Sequence, residues 1–194
     1  MGILIGFKRA YIQDFKSDGT AAGALITLEG TQDEGATQEA NISGMSADAV
    51  KVYGSNIPYY VSQKGTGDVS AELKLLDMPA EAENRILGYE TDPDLKAQLI
   101  GENTEAPYCA VLLESEDTQG NVALYGFFKG KFSKPDVSLK TKEGGNVEPD
   151  GETYTYTPVT SDMEGKSKGQ TMVNFLGTAE DAAAVKALVL RTGA

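Results

Sequence analysis

The sequence predicts a mainly β fold: a sandwich or barrel-like subunit with one short flanking α-helix, a possible C-terminal helix and extended loops. Gly and Thr are abundant, turn signals recur at short intervals, and apolar positions mostly alternate. At 194 residues the chain is long enough for one domain with a real core, because a domain of this size buries roughly 70% of its unfolded surface.

The clearest strand is TGDVSAELKLLD. Val69, Ala71, Leu73 and Leu75 point one way, and Ser70, Glu72 and Lys74 the other, so one face is buried and the other wet. The following MPAEAENRILG is helical in character. It has Pro79 at the first turn, Glu81 and Glu83 near the positive end of the dipole, Ile86 and Leu87 toward the core, and Gly88 as a stop. Further strands are expected at 37–43, 58–63, 107–115, 121–132, 152–159 and 171–175. DTQGN reads as a hairpin turn in which Gly120 and Asn121 supply positive φ. TAEDAAAVKALVL looks helical, with Thr178 and Asp181 at capping-box spacing. The expected organisation is a main domain over 1–177 and a helical extension over 178–194 that packs back or projects as an arm.

Asp and Glu number 29 against 17 Lys and Arg, a formal net charge of -12 that opposes binding of a polyanion unless the cations are gathered in one place. Six acids and no base lie between Ser17 and Val50, whereas Lys129, Lys131, Lys134, Lys140 and Lys142 cluster around Asp136. The single cysteine, Cys109, excludes an intramolecular disulfide and reads as a small hydrophobe. MGILIGFKRA places its basic residues after a very short apolar run, which predicts neither a secretory signal nor a membrane span.

The absence of histidine removes the commonest general base and every Ser-His-Asp or Cys-His arrangement, and one cysteine cannot build a zinc site. No P-loop, dinucleotide fingerprint or EF-hand loop occurs, so neither cofactor nor metal nor catalytic residue is expected. The nearest things to calcium ligands, DPD at 92–94 and EDTQGN at 116–121, read as solvated turns. A pair of carboxylates for glycoside hydrolysis stays possible on numbers, but no Trp is present to stack on a sugar.

YGFFKGKFSKPD interleaves lysines with Tyr125, Phe127, Phe128 and Phe132, the ingredients of a single-strand nucleic-acid groove. The same residues alternate as a strand buried on both faces would, and the net charge favours that reading. The lysines would then stand at the strand end and in the next loop, free to meet an acidic surface.

YGFFKGKFSKPD followed by KTKEG and YTPVT resembles the signature of the major tail proteins, or tail tube proteins, of long non-contractile-tailed bacteriophages of Gram-positive hosts. EANISGMSADAVKVYGSNIPYYVSQKGTGDVSAELKLLDMPAEAENRILGYE also resembles the family order of strand, extended loop, amphipathic strand and Pro-started, Leu-Gly-ended helix. The similarity runs over roughly residues 1–176. It implies a structural virion protein, assembled in the host cytoplasm into hexameric rings that stack around a tape-measure protein, between tail terminator and distal tail proteins. DNA passes through the lumen without specific binding. On this reading Glu39, Asn41, Ser43, Ser70, Glu72, Thr155 and Thr157 line the channel, and Val69, Leu73, Leu75, Tyr154 and Tyr156 pack against the helix. The five lysines become an inter-subunit or inter-ring contact, and the stretches Ser55–Gly65 and Lys142–Glu152 order on assembly. A monomeric β-sandwich binding module, adhesin or carbohydrate-binding, is the alternative, and an acid-pair hydrolase a third reading.

Overall fold

The computed structural model describes residues 2–139, 141 and 150–191. Its strands are β1 (Leu4–Asp14), β2 (Ile26–Leu28), β3 (Ala36–Ser43), β4 (Val50–Gly54), β5 (Ile57–Ser62), β6 (Ser70–Leu76), β7 (Glu90–Asp92), β8 (Ala97–Leu99), β9 (Cys109–Asp117), β10 (Val122–Ser133), β11 (Glu152–Pro158) and β12 (Met172–Gly177). Helix α1 (Ala80–Leu87) follows β6, and α2 (Ala179–Leu190) follows β12. The protein is mainly β, as its alternating pattern predicts. Eight strands form one antiparallel sheet in the order β2-β1-β9-β10-β11-β6-β3, with β12 branching from β10, while β4–β5 and β7–β8 are separate two-stranded ribbons. The sheet curls until its far strands approach, where the Thr37 hydroxyl donates to the Phe7 carbonyl at 2.6 Å. No ladder joins β1 to β3 among the described residues, so the barrel stays open.

β10 organises the sheet because it changes partner halfway. Val122–Phe127 pair with β12 on one edge, and Gly130–Ser133 pair with β11 on the same edge. A bulge between Phe127 and Gly130 makes the change, and it also resets the alternation, so Phe127 and Phe132 reach the same core although an odd number of residues apart. Glycine is required at 130: a Cβ there would sit 2.5 Å from the Tyr156 ring and 2.6 Å from the Thr157 carbonyl.

Both faces of this central strand are covered. On the concave face Leu73, Leu75, Tyr154, Tyr156, Phe127 and Phe132 pack with Ala82, Ile86 and Leu87 of α1. Tyr156 is fully buried and donates its hydroxyl to the Cys109 carbonyl at 2.8 Å, leaving no unpaired polar atom at its tip. Cys109 is the small hydrophobe expected: burial, then the nearby Asp14 charge, pushes its thiol up to about 12. On the opposite face Leu112, Leu124 and Phe128 meet Ala182, Val189 and Leu190 of α2. Gly126 permits this approach, since a Cβ would lie 2.6 Å from Val189.

The helix caps read from sequence are present. Gly88 ends α1 at φ 71°, and the Thr178 hydroxyl accepts the Asp181 amide at 3.3 Å while donating to the Asp181 carboxylate at 2.8 Å. In DTQGN, Gly120 has φ 83° but Asn121 does not take positive φ. Asp117 sets that turn instead, accepting the amides of Gln119 at 2.8 Å and Asn121 at 2.9 Å. The periodicity also misses β1, β2, β4, β7 and β8. β1 is masked by KR in its middle, and β2, β7 and β8 are too short to show a period.

α2 is held by charge as well as packing. Glu114 of β9 is 5% exposed and accepts Lys186 Nζ at 2.5 Å and Tyr11 Oη at 3.0 Å, with Arg9 Nη1 at 3.4 Å. Burial opposes its ionisation, yet the Lys186 hydrogen bond and charge, with Tyr11 and Arg9, hold the carboxyl below the ordinary value of 4.5. The stabilisation is therefore complete above that value and is lost as pH falls through the depressed one. Glu114→Gln is expected to cost about 1–3 kcal/mol at neutral pH. The difference from the unaltered chain in denaturant unfolding should shrink steadily on acidification below 4.5.

Candidate functional site

The seven residues expected to line a channel lie on one surface. Ladder partners share a face, and the registers place Asn41 opposite Glu72, which in turn faces Thr155. Ser43 faces Ser70, and Glu39 faces Lys74, whose other neighbour is Thr153. Thr157 continues the surface on β11. The reverse of the same three strands is core: Ala71, Leu73, Tyr154 and Tyr156 are buried, with Ala40 and Ile42 packed against them. Period-two alternation in β3, β6 and β11 thus produces a sheet face that is polar from Ser70 to Lys74 along β6 and ends at Leu76 and Ala36.

Sequence reasoning puts Lys74 on the wet side of β6 but leaves out two other members of this face. Lys74 and Thr153 lie within it, and Lys131 faces Thr157 directly across β10–β11. A lysine assigned to subunit contact and a threonine assigned to the channel are therefore neighbours. The signal was available in the ladder parity once the β10 bulge is known, and the bulge cannot be read from one strand alone. The two cations are already matched, Lys74 with Asp150 at 2.6 Å and Lys131 with Glu105 at 2.8 Å, so with Glu39 and Glu72 the surface and its rim are net acidic.

The lysine cluster meets its own chain. Lys129 bonds Asp162 at 2.7 Å, and Lys129 and Lys131 both stand over the Tyr108 ring, 4.7 and 4.9 Å from its centroid. These hydrogen bonds hold the Glu105 and Asp162 carboxyls below their ordinary values. Lys134 is more deeply set, its side chain 10% exposed between Glu83 at 2.7 Å and Glu152 at 2.8 Å. Burial works against its charge, but Glu152 and Glu83 hold the ammonium above the ordinary lysine value. Tyr154 Oη lies within hydrogen-bond distance of both carboxylates, at 3.0 and 2.9 Å, and its single proton can go to either. Each of these three lysines thus already has a carboxylate partner in its own chain, supplied by α1 and the segments around 105, 152 and 162. Lys140 and Lys142 lie outside the described residues. The rings between the lysines are core, with Phe127, Phe128 and Phe132 buried, which removes the stacking platform of a single-strand nucleic-acid groove.

The acidic turns are structural. Asp92 accepts the amides of Asp94 and Leu95, both at 2.9 Å, and Asp117 caps its hairpin as described. Among the described residues no group of three or more His, Cys, Asp or Glu side chains could hold a metal ion, and no helix is long and apolar enough to cross a membrane.

A second exposed surface was missed altogether. Residues 55–65 are expected as a loop around one strand, but β5 pairs with β4 as a ribbon around a tight turn at Ser55 and Asn56, both at positive φ. Val50, Val52, Tyr53, Ile57, Tyr59, Tyr60 and Val61 of this ribbon are all exposed.

A polar sheet face, open strand edges and an apolar ribbon are the equipment of a structural β protein that works through its surfaces. A family model described as phage tail tube protein matches residues 11–181, and the chain belongs to that family. It is a structural component of the phage tail, a virion protein whose family self-assembles into the tail polymer. Neither the comparison with curated proteins nor that with solved structures gives a match.

Lys134→Ala would leave Glu83 and Glu152 facing one another without the ammonium between them. A loss of about 1–3 kcal/mol in unfolding free energy is expected. Lys129→Ala and Lys131→Ala, whose carboxylate partners are hydrated, should cost less by the same denaturant titration.

Proposed function

We propose that this chain forms hexameric rings that stack into the tail tube of a long non-contractile-tailed phage, enclosing the tape-measure protein and later passing DNA. The observation that carries this reading, beyond family membership, is the continuous polar, net acidic face of β3, β6 and β11. Glu39, Asn41, Ser43, Ser70, Glu72, Thr155 and Thr157 would form the channel wall. Carboxylates there repel phosphate, and each copy adds a net charge of -12 to the assembly, so the duplex is kept from sticking. Strand edges at β2, β3 and β12 favour edge pairing between neighbours, which removes bare hydrogen-bonding groups. The assembling unit is residues 1–177, and α2 (Ala179–Leu190) of the extension packs on the β9–β10 part of the sheet.

The basic segment of Lys129, Lys131, Lys134, Lys140 and Lys142 is the second surface in this reading. Asp162 and Glu105 are 71% and 83% exposed at their side chains, so Lys129 and Lys131 can exchange these partners for carboxylates of an adjoining copy at little cost. Lys134, closed between two carboxylates, instead fixes the base of the segment. The tube would end against terminator and distal tail proteins.

Electron microscopy of the concentrated protein should show hollow tubes of uniform diameter, and particles that stay single at every concentration would overturn the reading in favour of a monomeric binding module. In phage, Glu39→Lys with Glu72→Lys should give tails of normal length whose DNA ejection is slowed roughly tenfold or more, the scale on which local charge alters encounters with charged partners. Unimpaired ejection would remove the electrostatic role of this face.

A further inference from the structure

The open seam of the sheet is a groove of about 350 Å³, lined mainly by apolar side chains, among them Leu4, Phe7, Ala40, Ile42, Met45 and Tyr125. It sits where β1 and β3 approach without forming a ladder, and its walls are strands of the curled sheet. In β1 the first residues pair with β9 through a register shift between Ile5 and Arg9, and Gly6 has φ 73°, which bends this strand at the groove.

The β4–β5 ribbon offers matching chemistry. In its register Val52 faces Tyr60 and Val50 faces Ser62, so Val50, Val52 and Tyr60 share one side, with exposures of 62%, 52% and 58%. An isolated two-stranded ribbon is marginally stable in water, and a contiguous exposed apolar patch marks a contact surface. Among the described residues nothing covers it. Lys51 is the only charged residue from Val50 to Ser62, in a chain of net charge -12. Copies that repel one another over most of their surface can approach where the charge is lowest.

We propose that the β4–β5 ribbon of one copy seats its Val50, Val52 and Tyr60 side in the β1–β3 seam of the next copy. The inference rests on the tube reading and names the contact by which copies join. Ribbon and seam are different surfaces of one chain, so the contact is head-to-tail and continues into a ring or a helical stack without a self-complementary patch. It covers two exposed apolar surfaces at once and gives the otherwise unsupported ribbon its third layer.

Cysteine pairing tests it, because the native Cys109 is buried and does not compete. Leu4→Cys chains are mixed with Val52→Cys chains, assembled and oxidised; both positions are exposed, so folding is preserved. A disulfide-linked dimer is expected on a non-reducing gel, and much less of it when Val52→Cys is mixed with Glu164→Cys, a surface site away from the seam. Independently, Val52→Asp with Tyr60→Asp should raise the concentration needed for assembly about tenfold or more, with the melting temperature of the unassembled protein unchanged. Tubes that form without the Leu4–Val52 link and tolerate both aspartates would overturn the docking while leaving the tube reading intact. Failure of the unaltered chain to associate at all would overturn both.

Discussion

The structure depends on the requirement that β10 be buried on both faces while changing its neighbour midway. Before the bulge, its two sides belong to two cores, one capped by α1 and one by α2. After it, α2's cover ends and the outer side of the sheet is left to Lys131, Thr157 and the polar rows of β11, β6 and β3. The wet face starts where the strand switches partner. Gly130 permits the switch because the Tyr156 ring occupies the space a side chain would need.

Electrostatics then divide the surface. Two lysines tie elements of the fold together: Lys134 bridges α1 to β11, and Lys186 ties α2 to β9. Arg85 similarly links α1 to Asp14 at the end of β1, and to the carbonyl of Ala24. Internal pairing of cations leaves the excess of carboxylates facing solvent. A chain built this way repels polyanions over most of its area, and self-association falls to surfaces with few charges, above all the β4–β5 ribbon.

Local pattern makes some parts of the molecule legible. Burial of Val69, Ala71, Leu73 and Leu75, the Gly88 stop, the Thr178 cap and the two-sided burial of the FF strand all follow from side-chain period and from groups that must be satisfied at helix ends. The shared polar face of β3, β6 and β11 is legible for the same reason, since strand parity fixes which side chains share a side. Harder features involve partners distant in sequence. The five-residue strand β4 precedes a turn whose two positive-φ residues are Ser55 and Asn56 rather than glycine, and its apolar residues read as a loop because what they pack against is not in the neighbouring sequence. Lys134 meets Glu83 across a sequence separation of 51 residues, so its partner is invisible until the chain is folded.

The sequence by itself determined the β class, the two helices and their ends, the wet and dry sides of β6, and the acidic balance, because each depends on residues within a few positions of one another. Tertiary structure alone decided which lysines are neutralised, where the barrel fails to close, and that an apolar ribbon stands clear of the body. Those outcomes are set by contacts between distant segments, and the entropy of closing the loops between them is offset only when the whole sheet forms.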